Sequence, residues 1–111
     1  MIPNKELQEL AQALKRTAEY NEMLQLRKRV IEHPRLGRQM IMFEREHTRL
    51  YNLGLQQVDV EPKLKKLYTD YNALLNEAEV KKFIESTHVY QKMIAECISY
   101  LNKNLETGKS Y

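Results

Sequence analysis

Apolar side chains recur along this chain at steps of three and four residues, and the recurrence is interrupted at His33-Pro34, around Gly54 and near Asn76. Such spacing gathers apolar positions on one face of a helix and leaves the polar ones on the other. In the first stretch Leu7, Leu10, Ala11, Leu14 and Ala18 form a stripe, which Met23, Leu26 and Val30 resume on a slightly rotated face. Asn4 is suited to cap the start, and no Gly or Pro intervenes before Glu32. The pattern therefore predicts one helix over 4–32, about 42 Å long at ~1.5 Å per residue. A helix of that length in a short chain points to pairing between chains.

Proline disfavours the helical conformation in the residue before it and fits the first turn of a new helix, so a second helix is expected over 34–54. Leu36, Met40, Phe43, His47 and Leu50 then follow alternating four- and three-residue steps, the spacing of a helix-packing seam, and are the expected self-association residues. Gly37 either weakens the first turn or admits another backbone, and Gly54 suits a left-handed C-terminal position. A third helix is expected over 60–75, capped by Asp59 or Glu61, with Pro62 in its first turn. Its stripe is Val60, Leu64, Leu67, Tyr71, Leu74 and Ala78.

Asn76, with Glu79 three residues on, reads as a capping box that opens a fourth helix over 77–106, although one kinked helix also fits. Val80, Phe83, Thr87, Tyr90, Ile94, Cys97, Leu101 and Leu105 share a face there, Gly108 ends the pattern, and 109–111 form a frayed tail. The expected fold is all-α: three to four amphipathic helices in an antiparallel bundle, one domain over 1–111, completed by dimerisation.

Composition supports the helical reading. Of 111 residues, 42% are hydrophobic and 30% charged, with only three Gly and three Pro, a mix too apolar for disorder. The longest apolar run, Met40 to Phe43, is far short of the ~20 residues of a membrane span. The first residues lack the apolar core of a signal peptide, and a single Cys97 suits a reducing compartment, so a cytoplasmic location is expected. A net charge of +3 permits an acidic partner but falls short of a dedicated nucleic-acid binder.

Two Glu-x-x-His pairs, Glu44/His47 and Glu85/His88, are the sharpest enzyme-like signal. Helical di-metal proteins use that spacing, but they also need inward Glu residues on two further helices, and the corresponding positions here are apolar. Ordinary surface pairing is the commoner explanation, so neither a metal nor a cofactor is assigned. Arg27, Lys28, Arg29, Arg35 and Arg38 form a basic region that extends toward Arg49, a candidate patch for RNA or an acidic protein; the plain alternative is a solvated face of ion pairs. Cys97 lies in an apolar stripe without a neighbouring His and is expected to be a buried structural thiol. Seven Tyr and five Met suit helix interfaces.

Several residues together resemble the YlbF/YheA/YmcA family of small helical bacterial regulators. They are Leu10-Ala11-x-x-Leu14 with Glu19-Tyr20, Val30-x-x-His33-Pro34-x-Leu36 with Met40 and Phe43, Leu67 through Leu74, Lys82-Phe83, and Tyr90 with Ile94 and Leu101. The resemblance implies an all-α fold that associates as dimers or larger assemblies, without a recognised active site. It also implies regulation of sporulation, competence and biofilm formation and assistance to ribonuclease Y in messenger RNA processing. Some relatives bind iron–sulfur clusters through C-terminal cysteines; with Cys97 alone, that property is not carried over. The expected function is a non-enzymatic regulatory adaptor that forms a homodimer and engages a protein partner. Its alternatives are an RNA-contacting accessory subunit using the basic region over 27–49 and a di-metal carboxylate bundle.

Overall fold

The computed structural model describes residues 1–106; the expected stop at Gly108 and the tail over 109–111 lie outside the described residues. Among the described residues the fold is all-α, with α1 (Asn4–Lys15), α2 (Ala18–Glu32), α3 (Gly37–Leu55), α4 (Glu61–Asp70), α5 (Asn72–Leu75) and α6 (Ala78–Glu106). These pack as two compact units: a central unit, Leu26–Phe83, and a terminal unit made of Met1–Gln25 with Ile84–Tyr111.

The central unit holds the apolar core. Val30 from α2, Leu36 from the following turn, Met40, Phe43 and Leu50 from α3, Leu67 from α4, Leu74 from α5, and Val80 and Phe83 from α6 are all buried. Helix α3 dominates because its four-three stripe faces inward along most of its length, where α4 packs against it. The Phe43 ring meets Tyr71 edge-on at a centroid distance of 5.5 Å, an arrangement favoured by the aromatic quadrupole.

Local hydrogen bonding moves several expected boundaries. The chain does not form one helix over 4–32, because Thr17 interrupts it. Its hydroxyl donates to the Leu14 carbonyl at 2.6 Å and accepts from the Tyr20 N–H at 3.2 Å, so it closes α1 and caps α2. The second long helix begins at Gly37 rather than Pro34. His33 Nδ1 accepts the N–H groups of Arg35 and Leu36 at 3.1 and 3.2 Å, and Gly37 N–H donates to the His33 carbonyl, which winds 33–36 as a separate turn. A Cβ on Gly37 would run into the Ile31 carbonyl group, whose carbon would lie at 2.9 Å, so glycine here admits the end of α2.

Gly54 lies inside α3, and the left-handed position falls instead on Gln57, at φ 65°. Around it Val58 N–H donates to the Leu53 carbonyl and Gln57 N–H to the Gly54 carbonyl, a paired closure that satisfies the last carbonyls of the helix. Asp59 then accepts the Glu61 N–H at 3.1 Å and opens α4. Asn76 does not open α6 through a capping box; its side-chain amide donates back to the Asn72 carbonyl at 2.8 Å and closes α5.

Three substitutions test this architecture by chemical denaturation followed through helical circular dichroism. Leu50→Ala, at a site 1% exposed, is expected to lose about 2–5 kcal/mol. Gly37→Ala is expected to lose at least ~1 kcal/mol through displacement of the Ile31 backbone. Gln57→Gly is expected to gain about 0.5–1 kcal/mol by relieving the left-handed conformation.

Candidate interaction surface

The expected self-association seam is occupied within the chain. Leu36, Met40, Phe43 and Leu50 are all less than a tenth exposed and form the central unit's own core, which leaves none of them free to pair with a second chain. Their periodicity marks a buried face, and the partner of that face is intramolecular. His47 is half-buried at the edge of this core, 5.7 Å from the Phe43 ring, and its Nε2 shares a 3.2 Å hydrogen bond with the Tyr68 hydroxyl.

Two of the five cations of the basic region are paired with residues distant in sequence. Arg27 pairs with Glu44 through two hydrogen bonds, at 2.8 and 3.3 Å, and Arg35 pairs with Glu77 at 2.8 Å. The Arg35 guanidinium holds the Glu77 carboxyl below the usual carboxylate range, chiefly by this hydrogen bond. Lys28 lies 4.0 Å from Glu32, so of the five predicted cations only Arg29 and Arg38 make no ion pair among the described residues.

Capture of Glu44 by Arg27 and of His47 by Tyr68 also dissolves the first Glu-x-x-His pair. Glu85 and His88 are both exposed. Among the described residues no three His, Cys, Asp or Glu side chains converge as a group that could hold a metal ion. Cys97 is half-buried, short of the full burial expected for it.

A surface absent from the sequence reading lies within the central unit, along α3 and α4. A cleft of about 570 Å³ is lined from α3 by Met42, Arg45, Glu46 and Arg49, and from α4 by Lys63, Lys66, Leu67 and Asp70, with Tyr71 at the end. Met42, Leu67 and Tyr71 are the apolar and aromatic members of this lining. Two of its cations are internally matched: Arg49 hydrogen-bonds Glu46, and Lys66 reaches Asp70 at 2.9 Å. The Arg49 hydrogen bond, supplemented by the charge of nearby Lys63, holds the Glu46 carboxyl below its usual range against a smaller desolvation effect. Arg45 and Lys63 are exposed and make no ion pair among the described residues. Each wall follows steps of three, four and seven residues along its helix, a signal that marks both faces but not their juxtaposition.

The terminal unit is built differently. Leu14, Tyr20 and Met23, with Ile84, Tyr90, Met93, Ile94 and Cys97, are half-buried, and Tyr20 and Tyr90 approach to 5.5 Å between ring centroids. Outward along the same stripes, Leu7 and Leu10 on α1 and Ile98, Leu101 and Leu105 on α6 are exposed, from 37% at Leu10 to 77% at Leu105. Helix α1 contains no buried residue. Among the unit's described residues only Ser86 is buried, and no apolar side chain is.

No helix among the described residues is long and apolar enough to cross a membrane. No curated protein and no solved structure matches the chain. A family comparison does match, over residues 4–106, under the description "Control of competence regulator ComK, YlbF/YmcA". With the whole described helical region, from Asn4 to Glu106, inside that match, the chain belongs to the YlbF/YmcA family of regulatory proteins.

Proposed function

We propose that this chain is a non-enzymatic, cytoplasmic regulatory adaptor that self-associates and engages a protein partner through helix-mediated contacts. The observation that carries it is the terminal unit, where amphipathic helices expose their apolar stripes and no apolar side chain is buried among the described residues. A 12-residue helix such as α1 is marginal in water unless its apolar face is covered. Contiguous exposed apolar surface of this kind marks an interaction site.

A second copy is the cover that fits best. It carries the same stripes, is always present at matching concentration, and can cover the terminal-unit stripes of both copies through a two-fold interface. The terminal unit holds six Lys and Arg against seven Asp and Glu, so two copies meet without strong like-charge repulsion. The central unit holds twelve Lys and Arg against eight Asp and Glu, an excess that suits a partner of the opposite sign. Membership in a regulatory family supports action through protein partners. The RNA reading draws less support, because three of the five patch cations are already ion-paired, and the di-metal reading has no converging ligand set among the described residues.

Light scattering coupled to size exclusion is expected to give at least twice the 13.3 kDa chain mass at micromolar concentration. The double variant Leu10→Glu/Leu101→Glu is expected to weaken that association by about 100-fold or more, given ~1.5–3 kcal/mol for each buried leucine. A helical wild-type protein that runs at the mass of one chain would overturn the proposal.

A further inference from the structure

The cleft along α3 and α4 combines three apolar or aromatic lining residues with two cations that make no ion pair among the described residues, and it belongs to the unit that holds the buried core. It is therefore neither a fault in the core nor part of the uncovered terminal-unit stripes. Resting on the adaptor reading, we propose that this cleft docks an acidic amphipathic helix of a partner protein, with Arg45 and Lys63 receiving its carboxylates and Met42 and Tyr71 its apolar side chains.

Three features select this occupant. The walls are two helices, and an amphipathic helix laid in a groove between helices meets both at once. Helix α4 spans 10 residues, about 15 Å at ~1.5 Å per residue, so about three turns of a docked helix run its full length. Met42 is 52% exposed and sits among charged neighbours, which makes it an anchor point that a purely polar ligand would leave wet.

The charge distribution fixes the sign of the partner. Four cations and two carboxylates line the cleft, so its net charge is positive, and with Glu46 hydrogen-bonded to Arg49 and Asp70 to Lys66, Arg45 and Lys63 are the two cations without an ion pair among the described residues. An incoming carboxylate meets these two without displacing an existing pair. A basic helix would meet them as like charges. A nucleic acid is a poorer fit, because it carries no aliphatic side chain to cover the exposed Met42.

The test uses the full chain and fluorescently labelled synthetic peptides of about 14 residues, followed by anisotropy. One peptide carries Leu at helical three- and four-residue steps with Glu elsewhere. A second has the same composition scrambled, a third has Lys in place of Glu, and a uridine oligonucleotide is the nucleic-acid probe. The striped acidic peptide alone is expected to bind, and Arg45→Glu/Lys63→Glu is expected to weaken it by about tenfold or more. Met42→Ser is expected to weaken it as well, while both variants keep wild-type helicity and mass.

Equal binding of the scrambled peptide would overturn the apolar half of the site. Tighter binding of the oligonucleotide, lost in Arg45→Glu/Lys63→Glu, would make the cleft a nucleic-acid surface instead. No binding at ~100 μM peptide, or binding indifferent to the double variant, would remove the site altogether. The unaltered assembly mass separates these outcomes from failure of the adaptor reading, which is decided at the terminal unit.

Discussion

Burial of the α3 stripe is the interaction on which the rest of the molecule depends. Leu36, Met40, Phe43 and Leu50 draw in one or more side chains from each neighbouring element of the central unit, including Val30, Leu67, Leu74, Val80 and Phe83. At roughly 1.5–3 kcal/mol for each fully buried large side chain, this cluster is the main favourable term that a chain of this size has available. No comparable cluster exists among the described residues of the terminal unit. The helices there carry the right pattern for a core, but among the described residues their apolar side chains are at most half-buried. That asymmetry locates stability in the middle of the sequence and incompleteness at its two ends.

The charges divide along the same line. The central unit has an excess of cations, yet Glu44 and Glu77 tie Arg27 and Arg35 into pairs between distant parts of the sequence, and Glu32 lies beside Lys28 on α2. Exposed pairs of this kind contribute little to stability singly, but they determine which cations remain available to a partner. Arg45 and Lys63 line the cleft with Met42, Leu67 and Tyr71 and make no ion pair among the described residues, whereas Arg27 and Arg35 are paired. On the proposed reading, self-association uses the near-neutral apolar stripes, and partner choice uses the cations Arg45 and Lys63.

The fold class was legible because helix periodicity is a local property, and the stripe from Leu36 to Leu50 was read correctly as a packing face. Its partner was not legible, since a buried seam looks the same in sequence whether the opposing helix belongs to the same chain or to another. The break at Thr17 carried no Gly or Pro; it depends on a hydroxyl choosing local backbone partners over the helical ladder. The left-handed residue fell on Gln57 rather than Gly54 because the closing hydrogen bonds of α3 set the position. The basic region dissolved for a non-local reason: Glu44 and Glu77 reach Arg27 and Arg35 from 17 and 42 residues away. Lys63 was missed for the same reason, as only the packing of α4 on α3 brings it opposite Arg45.

The central claim is that the terminal unit obtains its missing core from a second copy. Amide hydrogen exchange measured at two widely separated protein concentrations tests it most directly, because protection that depends on association rises with concentration and protection from an internal core does not. Self-association predicts concentration-dependent protection over residues 7–14 and 90–105, alongside constant protection over residues 40–50. Protection over 7–14 and 90–105 that is strong and unchanged on dilution to the single-chain state would contradict it.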